Sequence, residues 1–165
     1  MTDLIYLDAA IAELNVDAFG LLHGDGVLLE PIHPSWYYPA LATPDKLPGA
    51  IVAHYTATNP GTALAMAHHR QRPLAIGDRQ ASWHVSIEAD GAIVQMAPFV
   101  VGCWHAGGKT ARPITDLGPA NRTAVGIELV GFGRAFPRAQ VIAAQRVWRA
   151  VCQAYVIPRH RAMVT

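Results

Sequence analysis

The sequence predicts a single α/β domain built on a mixed central β-sheet flanked by helices. Three observations carry this. Apolar runs of strand length recur at residues 50–56 and 124–130, Asp90-Gly91 stands between two further strand-like segments, and a long stretch with helical spacing follows Pro137. Interleaved strands and helices define the α/β class, and the hairpin forces at least one antiparallel pair, so the sheet is mixed. The 165 residues suit one domain, since a chain of that size buries about 70% of the surface it exposes unfolded.

The elements follow in order. A short helix is expected around residues 8–14, broken by Gly20, Gly24 and Gly26. Residues 30–48 carry Pro31, Pro34, Pro39, Pro44 and Pro48, which predicts an irregular, extended lead-in. Trp36, Tyr37 and Tyr38 would pin it to the body, and residues 1–48 are read as a lead-in packed on a domain spanning 49–165. Regular structure starts with a buried strand at 50–56. Asn59-Pro60 reads as an N-cap with proline at the first helical position, opening a helix through Ala63, Met66 and Ala67 that stops before Pro73.

Residues 82–88 alternate, which places Trp83, Val85 and Ile87 on one face and Ser82, His84, Ser86 and Glu88 on the other. The Asp90-Gly91 turn leads into a partner strand at 92–96. After the strand at 124–130, Pro137 opens an amphipathic helix whose apolar stripe is Val141, Ala144, Trp148, Val151, Cys152 and Tyr155.

Composition excludes several functions. Thirteen basic and twelve acidic residues give a net charge of +1, so no global basic field draws the protein to nucleic acid or anionic lipid. The hydrophobic content of 52% excludes a disordered chain. No apolar run approaches the ~20 residues of a membrane span, and the acidic N-terminus does not read as a signal peptide. Cytoplasmic synthesis and a monomer are expected. Cys103 and Cys152 lie far apart and form neither a CxxC pair nor a disulfide framework. Eight histidines among so few charges are the oddity, and they point toward metal or proton chemistry.

Two residues stand out for chemistry. His54 interrupts an apolar strand; taken alone it is a core histidine or one metal ligand, and His84 and His105 pose the same choice. His68-His69 falls on a helix where neighbours diverge, which excludes chelation from one face and suggests surface decoration. Glu128 sits inside Val-Gly-Ile-Glu-Leu-Val. A carboxylate there either faces solvent or is buried at a cost of several kcal/mol unless paired. Burial of that kind also raises a carboxyl pKa toward the range of a general base.

Four segments taken together resemble a known family: Ile51-Val-Ala-His-Tyr-Thr-Ala-Thr58, Ser82-Trp-His-Val-Ser-Ile-Glu-Ala-Asp-Gly91, Trp104-His-Ala-Gly107 and Asn121-Arg-Thr-Ala-Val-Gly-Ile-Glu-Leu-Val-Gly131. Each motif is weak, but their order is specific. From about Leu47 to Thr165 the chain is similar to the type 2 N-acetylmuramoyl-L-alanine amidases, a superfamily that also holds phage endolysins, recycling amidases and peptidoglycan recognition proteins. The resemblance implies hydrolysis of the amide between N-acetylmuramic acid and L-alanine in peptidoglycan or muropeptides, with zinc as cofactor. It makes His54 the first zinc ligand and Glu128 the general base. It places Trp83, His84, Trp104, His105 and Asn121 along the substrate groove. Trp83 stands where some phage members carry a tyrosine near the metal.

The family's second zinc histidine, its third ligand and its stabilising lysine or histidine follow the long C-terminal helix in a Gly-His segment. Here residues 162–165 read as the start of the strand that delivers that histidine, and His160 lies too early to match. The expectation is a chain cut short of its remaining ligands. The rival reading is a non-catalytic muropeptide-binding module, and a metal-free structural protein ranks last. A lytic enzyme released through phage-made lesions and a cytoplasmic recycling enzyme both fit the absence of a signal, and the Pro-rich lead-in tilts the choice to lysis.

Overall fold

A computed structural model describes residues 13–38, 48–107, 119–133, 135–158 and 162–164. Its strands are β1 (Asn15–Val16), β2 (Leu22–His23), β3 (Val27–Leu29), β4 (Ala50–Tyr55), β5 (Val85–Ile87), β6 (Ile93–Gln95), β7 (Ala124–Leu129) and β8 (Ala162–Val164). The helices are α1 (Ala63–Arg70), α2 (Ala120–Thr123) and α3 (Arg138–Tyr155), with a 3-10 turn at Pro34–Trp36. The helix expected around 8–14 falls mostly outside the described residues, and Glu13 and Leu14 at its end are not helical.

Six strands form one mixed sheet in the order β3-β6-β5-β7-β4-β8, and β1 pairs with β2 separately. Strands β5, β7, β4 and β8 run parallel, β6 is antiparallel to β5 across the hairpin, and β3 is parallel to β6. The sheet is therefore mixed, as the hairpin required. Gly91 takes a left-handed φ of +93° in that turn, which glycine adopts without steric cost. The long pairing is β4 with β7, six residues in register from Ala50↔Ala124 to Tyr55↔Leu129.

Both faces of the sheet are covered. One core holds Ile51, Val85, Ile87, Ile93, Val125 and Ile127 against Ala143, Val147, Ala150 and Val151 of α3. The expected stripe of α3 is offset, because its deepest line is Gln140, Ala143, Val147, Ala150 and Val151. Ala144, Trp148, Cys152 and Tyr155 pack at the margin of that core. Gln140 is fully buried, and its Nε2 donates to the carbonyls of Ile87 and Val130, tying α3 to the ends of β5 and β7. The second core, on the opposite face, joins Ile32, Trp36, Trp83, Val94, Met96 and Val130 to Ala63 and Ala67 of α1.

Two local expectations are corrected. Trp83 does not share a face with Val85 and Ile87. The chain bends at His84, whose carbonyl accepts from both Met96 and Ala97, and this resets the alternation and sends Trp83 into the second core. Helix α1 does not start at Asn59-Pro60. It starts at Ala63, and Thr62 makes no side-chain cap. Its cap comes from a distant strand end, where the Glu88 carboxylate accepts the backbone N–H of Gly61 at 2.8 Å and of Ala63 at 2.6 Å. A negative charge also suits the helix N-terminus.

The N-terminal segment is held by polar anchors. Gln95 accepts from the Leu22 N–H and donates to the Gly20 carbonyl, and β3 adds an edge strand to the sheet. Trp36 is buried and donates to the Arg72 carbonyl, and Tyr37 bridges to Cys103. The rest of the Pro-rich stretch, 39–47, lies outside the described residues. Both cysteines are free thiols, and burial pushes Cys103 up to about 12. Among the described residues, no helix is long and apolar enough to cross a membrane.

Replacing Glu88 with Ala removes a charged acceptor from two backbone donors. The expected loss is roughly 1.5–3 kcal/mol, read as a lower midpoint in urea with an unchanged slope.

Candidate active site

Register places the site. In paired strands, neighbouring residues project from the same face. Ser86, Glu128 and His54 are therefore consecutive across β5, β7 and β4, on the face opposite α3. This face is closed over Ser86 by the second core and opens toward His54, which is half-buried.

A third strand position on this face, Gly126, carries no side chain, and His105 fills the space. A Cβ at Gly126 would collide with the His105 ring. The Trp104–Ala106 segment that delivers His105 is clamped by Asn121. Its Oδ1 accepts the N–H of His105 at 3.0 Å and of Ala106 at 2.7 Å, and its Nδ2 donates to the Gly107 carbonyl at 2.7 Å. Helix α2 carries Asn121 directly ahead of β7, so one turn of chain both starts the strand and fixes the loop that packs on it.

The imidazoles form an ordered set. His105 Nε2 lies 3.3 Å from the Ala124 carbonyl, to which it can only donate, and its Nδ1 lies 3.3 Å from His54 Nε2. His84 is fully buried; its Nδ1 accepts from Gly126 N–H at 2.9 Å and its Nε2–H donates to the Val101 carbonyl at 2.9 Å. Desolvation lowers His84 to about 4. Desolvation first, then the charges that His84 and His54 would carry, lowers His105 to about 3. Burial also lowers His54. All three rings are neutral at neutral pH.

Glu128 differs from the other carboxyls among the described residues. It is 9% exposed, and its Oε2 has no hydrogen-bond partner among the described residues. Desolvation raises it from 4.5 to about 7, against an opposing pull from the Arg70 guanidinium. Arg70 is itself enclosed, with Cζ 4.4 Å from the Trp83 ring centroid and 5.4 Å from that of Trp36. It donates to the carbonyls of Ala81 and Met66. The result is a carboxyl that exchanges its proton near neutrality, next to a half-exposed imidazole.

Beyond His54 the backbone is fixed by a one-way hydroxyl chain. Gly131 N–H donates to Thr56, Thr56 to Thr58, Thr58 to Thr62, and Thr62 to the Asn59 carbonyl. Ala57 sits in this loop with a left-handed φ of +53°.

The sequence-predicted residues thus divide. His54, His105 and Glu128 come together. Trp104 lies half-buried next to His105, its ring tilted at 60° against that of Tyr38 with 4.4 Å between ring centroids, and it donates to the Tyr37 carbonyl. Trp83, His84 and Asn121 are buried and spend their polar atoms on protein partners, so they build the walls and offer a ligand no surface. His68 and His69 lie on the surface, near Glu30 and Arg72. Ser86, Arg70 and the threonine chain were missed. Ser86 had one signal, its place on the polar side of the 82–88 alternation; Arg70 had none.

Among the described residues, no three of His, Cys, Asp or Glu converge to hold a metal ion. A catalytic zinc takes three protein ligands and a water. The described residues therefore do not by themselves complete a zinc centre. His160 lies outside them. Strand β8, expected from residues 162–165, is present and lies parallel to β4.

The family model for N-acetylmuramoyl-L-alanine amidase matches residues 44–165. A mutant endolysin from Bacillus subtilis is similar at TM-score 0.64 and 25% identity, with 84% of this chain and 82% of that chain covered. The endolysin N-acetylmuramoyl-L-alanine amidase LysCS from Clostridium intestinale URNW gives TM-score 0.57 at 21% identity, over 86% and 82%. The amidase AmiD from E. coli, in complex with anhydro-N-acetylmuramic acid-L-Ala-D-gamma-Glu-L-Lys, gives 0.53 at 20%, over 90% and 55%. The last two show a shared fold. Among curated protein sequences, none matches the chain.

Two outcomes follow from the site's construction. Glu128 binds its proton more tightly when folded, at about 7 against 4.5. Its contribution to stability is therefore full below about pH 4.5 and is lost as pH rises through about 7, by at most about 3 kcal/mol. Glu128→Gln cannot ionise, so its Tm matches wild type near about pH 4 and exceeds it near about pH 8. Equal pH dependence of the two proteins would place Glu128 in water. Asn121→Ala leaves two backbone donors and a carbonyl without partners and costs about 2 kcal/mol or more, measured by denaturant unfolding, whereas Asn121→Asp keeps both acceptor bonds and loses less.

Proposed function

The chain belongs to the N-acetylmuramoyl-L-alanine amidase family, and from that premise we propose that it hydrolyses the amide between N-acetylmuramic acid and L-alanine in peptidoglycan or its muropeptides. The observation that supports this most is Glu128, a buried carboxyl with one unpartnered oxygen and a pKa of about 7, set across the β4–β7 pairing from His54.

In the proposed reaction Glu128 acts in its ionised form. It takes a proton from water as the water oxygen bonds to the amide carbon, and it returns that proton to the nitrogen as the C–N bond breaks. The products are the lactyl carboxylic acid of the sugar and the amino group of L-alanine, and the acid then passes its remaining proton to the amine, leaving carboxylate and ammonium. Near neutrality about half of Glu128 is ionised and half protonated, which suits a group that must accept and then donate. The half-buried His54 lies on the open side of the carboxyl.

Zinc dependence is part of the proposal. His54 would be one ligand, and the others would come from outside the described residues. The proposed setting is cell-wall lysis, supported by the endolysins among the structural neighbours; a recycling enzyme would instead act on soluble anhydro-muropeptides. A second reading, a muropeptide-binding module without turnover, draws on the lack of a three-residue metal group among the described residues.

One assay separates these readings. The protein is incubated with a soluble muropeptide and with purified cell wall, and release of the L-alanine amine is measured beside bound zinc. Hydrolysis is expected, with rate rising through about pH 7, and Glu128→Gln is expected to lower turnover by roughly two orders of magnitude while zinc content stays at the wild-type level. Muropeptide binding without zinc and without amine release would establish the binding module instead.

A further inference from the structure

Ser86 has no part in the chemistry described so far, yet three observations meet at it. It is the register partner of Glu128 across β5 and β7, so the two side chains stand on one face about 4.8 Å apart at the backbone. It is fully buried, and its Oγ accepts the Trp83 indole N–H at 2.7 Å, its one hydrogen-bond partner among the described residues. The third observation is the Glu128 Oε2, buried without a donor.

The two groups are chemically complementary. A hydroxyl that accepts through its lone pair still has its own hydrogen to donate, and among the described residues that hydrogen has no acceptor. The neighbouring carboxyl oxygen lacks a donor. Leaving both unmade inside the protein is costly, whereas a hydrogen bond to an ionised carboxylate is among the strong ones. Trp83 is placed to orient the hydroxyl, because its N–H occupies the lone pair and leaves the hydrogen directed away from the indole. The Arg70 guanidinium over the same indole ring polarises it further.

We propose that Ser86 is a positioning residue for Glu128: oriented by Trp83, its hydroxyl donates through one bridging water to the Glu128 carboxylate and holds it in the geometry for proton transfer. The inference rests on the reading of Glu128 as the base. It adds an element on the closed side of the carboxyl, opposite His54.

Two readouts on the full chain test it. The first does not depend on turnover. Glu128→Gln is expected to shift the Trp83 indole N–H proton resonance when Ser86 is present and to leave it in place in the Ser86→Ala background; equal shifts in both backgrounds would overturn the relay. The second is kinetic. Ser86→Ala is expected to lower kcat roughly ten- to hundredfold with KM within about twofold, and Ser86→Thr, which keeps the hydroxyl, to recover most of the loss. Ser86→Cys keeps the shape but is a weak donor, so it should behave like Ala and serves if the Ala variant does not fold. Wild-type kcat in Ser86→Ala or Ser86→Cys, with Glu128→Gln inactive, would sink the role of Ser86 alone. Wild-type kcat in Glu128→Gln would sink the reading of Glu128 and this inference with it.

Discussion

The six-residue parallel pairing of β4 with β7 is the constraint on which the rest of the site depends. It sets an imidazole and a carboxyl side by side without either residue choosing the other as a partner. A slip of one residue in either strand would turn its side chain to the opposite face, into the packed core under α3. The apolar residues flanking His54 and Glu128 therefore do more than fill space. Ile51, Val125 and Ile127 lock the register from beneath, so the hydrophobic face of the sheet fixes the polar one.

Around that pairing, buried polar groups act chiefly as joints between segments distant in the chain. Glu88 ends the helix that covers the site, Gln95 holds the N-terminal hairpin to the sheet edge, Gln140 ties α3 to two strand ends, and Asn121 fixes the loop bearing His105. Each joint satisfies backbone groups that would otherwise be buried unpaired. Within this well-satisfied interior an unpartnered Glu128 oxygen is conspicuous. The Gln140 Oε1 and Tyr155 hydroxyl share that condition but lie away from the imidazoles.

How much of this could be read from the sequence depends on distance along the chain. The strands at β4 and β7, the Asp90-Gly91 hairpin and α3 were legible because their signals are local: apolar runs, a turn dipeptide and a helical period. The start of α1 was misplaced because its capping carboxylate comes from Glu88 rather than Asn59. The face of Trp83 was misread because the bend at His84 is imposed by a neighbouring strand. In the site, His54 and Glu128 were visible as polar residues where apolar ones belong. Trp83, His84 and Asn121 sit in the motifs that flagged the groove, but their hydrogen bonds turn inward. No spacing rule distinguishes a wall from a lining. Ser86 and Arg70 acquire meaning only from register and stacking.

The vacancy at Gly126 has a consequence of its own. The volume that a strand residue would normally occupy is lent to a ring from another segment, so positions 126 and 105 share a single fixed space. Neither can drift alone. A methyl gained on the strand demands a smaller group on the loop, and a smaller group on the loop opens a hole over the strand. Evolution along this lineage would therefore have to change the two in concert, and such compensated pairs are the record that shared volume leaves in a family's sequences.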